Sequence, residues 1–465
     1  MEGILSADQA QQNTALIVAA VASFTGPFML SSVNVALPAI QKEFAVNAIQ
    51  LGWIATSLLL AMAVVMVPIG KIADIYGRKR IFIWGAALNT LASLFACFVG
   101  SVQKLIACRV IQGLGMSMSG VSSLAILTSV FPPQKRGKAM GIYVSAVYVG
   151  LSVGPFAGGI FTQHIGWRSL FLLMALFSGV SVFVTLKYLK GEWTDAREEK
   201  LDFLGCALYG ISILTIVYGA TILPEMKALY LIAIGGIAMV VFVRHELRIP
   251  FPVFEVRLFT GNRLFSFSSL AALINYSATS AITFLFSLYL QYVQDMSPQY
   301  AGAVLMIQPV LMAILSPVAG KLSDRIEPRK IASSGMALTA LGVFLLAFIG
   351  MGTSKIYILC TLVILGIGFA MFSSPNMNAI MGAVAKRYLG IASGTVSTMR
   401  LLGQMISMAI AMVILSLFLG QEAISPSNYG LFLKSVHVSF LIFTFFCIIG
   451  IFFSFWRGEL RNNTV

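Results

Sequence analysis

Charge is what this sequence has least of. Of 465 residues only 10% are Asp, Glu, Lys or Arg, while 58% are hydrophobic and the mean hydropathy is +0.91. Soluble globular chains carry about 25% charged residues, which excludes that class. Disorder needs low hydrophobicity and high charge, and is excluded too. Acids are scarcer than bases, 17 against 31, for a net charge of +14. In a soluble chain that excess would point to nucleic acid. Here no basic run alternates with aromatics in a polar segment, and no nucleic-acid partner is expected. Cysteine is sparse: Cys97, Cys108, Cys206, Cys360 and Cys447 lie in apolar stretches with no CxxC pair. They read as small buried apolar residues rather than disulfides or ligands. His164, His245 and His437 are too scattered for a metal-site spacing. No Gly-x-x-x-x-Gly-Lys-Ser/Thr loop occurs. Neither cofactor nor metal is expected, and energy must come from a gradient rather than ATP. The clustered Asp, His or Cys of a membrane enzyme are missing, so no enzymatic activity is expected.

What the sequence has instead is long apolar runs. A bilayer-spanning helix takes about 20 apolar residues. Such windows recur at 14–36, 51–70, 81–100, 105–128, 139–161, 169–186, 203–222, 228–243, 264–290, 300–319, 331–350, 356–376, 390–418 and 435–456. That predicts an all-α polytopic membrane protein with fourteen spans. The segment Met1–Asn13 contains no Lys or Arg. It lacks the basic start of a signal peptide, so 14–36 is expected to be retained as the first helix. Lys and Arg divide 23 to 6 between alternate sides of the spans, with Arg109 and Arg400 inside them. By the positive-inside bias, both termini are expected on the cytoplasmic side of the plasma membrane.

The loop after the second span reads Gly70-Lys71-Ile72-Ala73-Asp74-Ile75-Tyr76-Gly77-Arg78-Lys79-Arg80. The loop after the tenth reads Gly320-Lys321-Leu322-Ser323-Asp324-Arg325-Ile326-Glu327-Pro328-Arg329-Lys330. Both carry Gly-Lys-x-x-Asp followed by Arg-Lys, with Pro68 or Pro317 just upstream. Two copies in equivalent positions indicate a duplicated six-helix unit. The predicted units are residues 14–186, an insert at 187–263 holding a two-helix hairpin, and 264–456. An even-numbered insert keeps both halves in one orientation. Asp74 stands out, because positive-inside bias calls for cations and not for an acid.

These residues carry a resemblance. The loop at 70–80 resembles the signature loop of the major facilitator superfamily. Leu105-x-x-x-Arg109-x-x-Gln112-Gly113-x-Gly115 is similar to that family's fourth-helix motif. Gly141, Gly150, Gly154, Pro155, Gly158 and Gly159 keep the spacing of its fifth-helix antiporter motif. Fourteen spans with that motif resemble the drug:proton antiporter branch. Arg257-Leu258-Phe259 and Tyr289-Leu290-Gln291 look like that branch as well. The resemblance implies a major facilitator fold of two six-helix bundles plus an inserted hairpin. It implies a monomeric secondary transporter that exports amphipathic small molecules by proton-coupled antiport and alternating access. It assigns conformational roles to Gly70, Lys71, Asp74, Gly77, Arg78, Lys79 and Arg80, and in the second copy to Gly320, Asp324 and Arg329. The loop acid and cations would form a charge lock on one state. Physically, Gly and Pro on the fifth helix let a neighbour approach closely and the helix kink. Tight packing alone would use glycines in the same way.

Charge within the bilayer is costly and marks candidate function. Arg109 lies about one turn from the outer end of span 4, and Arg400 roughly 15 Å into span 13 by helix rise. Gln112, Asn34, Asn275 and Gln308 are polar candidates for the same cavity, and Asn275 and Gln308 match Arg400 in depth. Arg400 is equally readable as a structural arginine bound to backbone carbonyls. One expected group is absent. The branch places an Asp in the first helix before Asn34-Val35-Ala36-Leu37-Pro38, and Met29 occupies the matching position. No acid falls inside any span. Neutral or anionic substrates are therefore expected over cations. Export of an endogenous metabolite, lipid or anion is the alternative.

Overall fold

The structure, a computed structural model, describes residues 2–459 apart from 195, 197–198, 224, 385–388 and 421. The side chains of 2–8, 133–134, 137, 324 and 389–391 also lie outside the described residues. The first half comprises α1 (Glu2–Phe44), α2 (Ala48–Tyr76), α3 (Arg78–Ala96), α4 (Val102–Val130), α5 (Pro133–His164) and α6 (Arg168–Tyr188). The inserted hairpin is α7 (Phe203–Thr221) and α8 (Met226–Glu246), followed by a short α9 (Arg257–Gly261). The second half comprises α10 (Arg263–Leu288), α11 (Pro298–Leu305), α12 (Ile307–Arg325), α13 (Pro328–Leu346), α14 (Lys355–Gly382), α15 (Leu389–Leu419) and α16 (Tyr429–Trp456). No strand occurs among the described residues.

Helix starts follow local chemistry. Asn47 and Gln50 form a reciprocal capping box on α2. Ser101, Asn262, Ser297 and Ser354 cap α4, α10, α11 and α14 with side-chain acceptors. Among the described residues, thirteen spans are long and apolar enough to cross a membrane. The fourteenth, α3, opens with Arg78, Lys79 and Arg80, and it belongs to the bundle by packing. Its Gly85 lies against Gly115 and Ser119 of α4, where an added Cβ would fall 2.7 Å from the Gly115 carbonyl oxygen. The tenth expected span is broken at Met306 into α11 and α12, and the ninth ends in a π turn, Tyr289–Val293.

Both halves repeat the same pairings. Close glycine contacts join α3 to α4 at Gly85 and Gly115, and α13 to α14 at Gly335 and Gly368. Gly150 joins α5 to α1, and Gly403 joins α15 to α10 in the same manner. The inserted hairpin packs on α2 and α15. Its Tyr209 hydroxyl donates to the Ala63 carbonyl at 3.0 Å.

One end of the molecule carries the loops at 70–80 and 320–330. The hydrogen bonds between halves, among the described residues, lie at the opposite end or midway. At the far end, Ser287 on α10 and Gln291 in the π turn that follows it donate to the carbonyls of Asn34 and Val35 at 2.8 and 3.0 Å. Tyr292 donates to Gln41, and the Gln299 amide donates to Gln163 at 3.2 Å. Gly141 on α5 and Gly394 on α15, near the loop-bearing end, have no neighbour within 4 Å of an added Cβ. Among the described residues, the hydrogen bonds that close the halves on each other thus gather at the far face and midway, and none lies at the loop-bearing one.

Candidate functional site

Midway along the bundle, where the halves face each other, a polar cluster forms around Arg400. Tyr276 on α10 has its hydroxyl beside Arg400 on α15 and Ser373 on α14, near enough for both to act on it. Tyr148, from α5 of the other half, reaches Ser373 at 3.3 Å. Tyr143, also on α5, has its hydroxyl near Ser123 and lies within the field of Arg400. Phe369 meets the Tyr276 ring edge-on at 5.6 Å. Tyr143, Tyr148, Tyr276 and Arg400 all keep part of their surface exposed. The cluster offers a cation, hydroxyl donors and aromatic faces, with contributions from both halves, and no acid among the described residues lies in it.

The other sequence candidates are distributed differently. Arg109 and Gln112 are fully buried inside the first half. Arg109 Nε donates to the Ile54 carbonyl at 3.1 Å and Nη1 to Gln112 at 3.3 Å, while Gln112 donates to Ser93 at 2.8 Å. This network ties α2, α3 and α4 together. It sits apart from Arg400: Met412 lies against Gly52 on α2, and Arg400, twelve residues earlier, is about 18 Å lower by helix rise. Asn275 is buried with both amide atoms unpartnered among the described residues, and so does not bond Arg400. Gln308 sits beside α14, its carbonyl 3.0 Å from a Cβ on Gly366. Asn34 contributes its backbone carbonyl to the far-end closure. Met29 is wholly buried in the apolar core and lines no opening in this conformation.

In the last turn of α2, Asp74 accepts from Arg78 Nε at 2.8 Å and Nη2 at 2.6 Å. Arg78 Nη1 donates to Ser129 on α4, and further partners come from the linker after α6. Glu192 accepts from the backbone N–H groups of Lys79 and Arg80 at 2.7 and 3.1 Å. Lys79 Nζ donates to the Leu189 carbonyl. Lys71 pairs with Glu199 and lies 5.9 Å over the Phe251 ring. Arg78 N–H donates to Trp193 and Ala196 N–H to Asp74, each through the backbone. Gly77 adopts φ 116°, and a Cβ there would lie 2.6 Å from Glu192 Cδ, so glycine is required twice over. Gly70 has a Cβ site 3.6 Å from Val121. Glu192 and Glu199 are not among the residues that the sequence singles out. Both are acids on the basic side of the membrane, the same signal that marks Asp74. In the second copy, Gly320 lies against Ser374 and Arg329 pairs with Glu459. The side chain of Asp324 lies outside the described residues.

The fifth-helix glycines divide by partner. Gly150, Gly154 and Gly158 pack on α1 of the same half, where a Cβ would fall 2.6 Å from the Phe24 oxygen, 2.9 Å from the Phe28 oxygen and 2.7 Å from Ser32 Cα. Only Pro155 and Gly159 touch the other half, at Gly302 and Pro298 of α11. Gly141 touches no neighbour.

The duplicated bundles and the paired loops agree with comparison to known proteins. The family model described as Major Facilitator Superfamily matches residues 19–408 and 269–464. The chain belongs to the Major Facilitator Superfamily. It is a multi-pass membrane transporter. It is 28% identical over 448 residues to the riboflavin transporter RibZ of Clostridioides difficile, covering 94% of this chain and 95% of that protein. It is 29% identical over 417 residues to the multidrug resistance protein Stp of Mycobacterium tuberculosis, covering 88% and 77%. A crystal structure of the peptide transporter POT in complex with sulfate shares the fold, with a TM-score of 0.68 at 14% identity over 94% of this chain and 93% of the other.

Proposed function

We propose that this major facilitator protein exports neutral or anionic amphipathic small molecules by proton-coupled antiport. The observation that carries this reading is the Arg400–Tyr276 cluster, with aromatic faces and, among the described residues, no acid beside it. A cation at low dielectric attracts anions and repels other cations. Hydroxyls and rings suit a flat aromatic solute. The cluster draws on both halves, as a midplane site in an alternating-access transporter does. The loop-bearing face is cytoplasmic on this reading, because it holds most of the Lys and Arg, and the protein works as a monomer in the plasma membrane. The state described is then inward-open.

Similarity to proteins named for multidrug resistance supports broad amphiphile export. The end-to-end match to a protein named for riboflavin transport favours a second reading, a single endogenous metabolite. The test is uptake into everted vesicles of a matched set of cationic, neutral and anionic aromatic compounds, with the proton gradient present or collapsed. Gradient-dependent uptake of neutral and anionic members supports the proposal. Strong uptake of a quaternary ammonium dye, or no response to the gradient, refutes it.

A further inference from the structure

A second polar pocket lies outside the transport path, at the loop-bearing end of the second half. It is a cavity of about 520 Å³ lined by Gly261, Asn262, Arg263, Leu264, Arg329, Arg457, Gly458 and Glu459. Arg457, just beyond α16, is 1% exposed. Its Nη1 donates to Asn376 at 2.6 Å and to Ser268 at 3.4 Å. Its Nε and Nη2 have no hydrogen-bond partner among the described residues, and neither does Arg329 Nε. Buried guanidinium N–H groups without an acceptor are strongly disfavoured.

We infer that this pocket binds a phosphate group, with Arg457 as its central donor. Three arginines converge there: Arg457, Arg329 and Arg263. Two acids oppose them. Glu459 is paired with Arg329, and Glu327 acts on Arg457 through space. Among the described residues, three cations against two acids leave a net positive charge. Arg263 and Leu264 form the first turn of α10, so the positive end of a 26-residue helix adds to the field. Burial draws the Arg457 guanidinium down to about 10, with Glu327 opposing and Arg329 assisting the shift. It stays charged at neutral pH and in need of an anion. The fork of a guanidinium suits phosphate oxygens better than a point charge does.

The surroundings favour a lipid as the source. Trp456 is 55% exposed and stacks on Phe452, and Phe455 is 52% exposed beside Arg329. Aromatics of this kind sit at the headgroup level of a bilayer. Arg263 donates to the Trp456 carbonyl at 3.0 Å and stacks on Phe267 at 5.3 Å, which holds its guanidinium at the rim. A basic pocket between helices at the membrane face suits an anionic headgroup.

The experiment uses the full chain, delipidated in detergent and offered phosphatidylglycerol, phosphatidylcholine or inorganic phosphate. Native mass spectrometry reads retained lipid, and the thermal midpoint reads stabilisation. Phosphatidylglycerol should be retained at least about tenfold more strongly than phosphatidylcholine, and Arg457→Gln should remove that preference. Arg263→Gln, at the rim, should weaken it in a protein whose fold is intact, which guards against misfolding of the Arg457 variant. If millimolar inorganic phosphate displaces the lipid and stabilises the protein equally, the phosphate site stands and its source is soluble. Equal retention of both lipids with no phosphate effect overturns the inference. So does a preference untouched in both variants.

Discussion

The Glu192 carboxylate spans the backbone N–H groups of Lys79 and Arg80, at 2.7 and 3.1 Å. A residue from the linker after the first half thereby caps α3 and presses on Gly77. The loop that resembles a gating motif is held by acids more than a hundred positions away. Lys71 and Glu199 make the same link at the end of α2.

Removing that cap should loosen the loop. Glu192→Ala loses two charge-assisted bonds at a helix N-terminus, about 1–2 kcal/mol in all. The thermal midpoint in detergent should fall, and trypsin should cut the 70–80 loop faster. An unchanged midpoint and cleavage rate would show that the linker does not hold the loop.

Asp74→Asn removes the negative charge facing the largely buried Arg78, whose Nε and Nη2 both reach the one Oδ1. A stability loss of about 1–3 kcal/mol is expected, and Asp74→Ala should resemble it. Denaturation of both variants checks this. Wild-type stability in Asp74→Asn would mean that the Ser129 hydroxyl suffices for the Arg78 guanidinium.

Gly154 and Gly141 belong to one motif, yet only Gly154 is in contact with α1. Gly154→Leu should abolish correct packing of α1 on α5 and cut the folded yield, since overpacking at a backbone contact costs more than about 3 kcal/mol. Gly141→Leu should fold normally, with any loss confined to transport. Fluorescence size-exclusion yields compare the two. Equal yields would remove the distinction.

Gln291→Leu deletes the bond to the Val35 carbonyl at the closed face. Losing about 1 kcal/mol there should raise the population open at that face roughly fivefold. Single cysteines placed near each mouth and labelled from both sides would report the ratio. A fixed ratio would mean that this contact does not bias the two states.

Tyr276→Phe and Arg400→Leu test the midway cluster. Arg400→Leu should lower transport of anionic substrates at least about tenfold, and Tyr276→Phe by less, because one neutral hydrogen bond is worth less than a charge. Initial uptake rates at matched expression measure both. Full activity in Arg400→Leu would place the substrate elsewhere.

Much of this protein is legible in its amino-acid sequence, and the reason is the bilayer. Backbone groups in hydrocarbon must be satisfied within each segment, so spans become apolar runs of predictable length, and cations collect on one side. The run of long apolar helices and the cation-rich side follow from that. Helix faces do not. A helix that is apolar all round gives no periodicity to say which side meets lipid, a neighbour or a cavity. Met29, which the motif match sets where the branch has its acid, is therefore wholly buried in the core, and Arg109 is locked inside one half rather than beside Arg400. Tertiary structure alone chose Tyr276 over Asn275 as the partner of Arg400, although the two are adjacent in the chain, because one step along a helix turns a side chain by about 100°. It also chose Glu192 and Glu199 as partners of the loop cations. Those contacts depend on where α6 and its linker come to rest, and no local pattern encodes that.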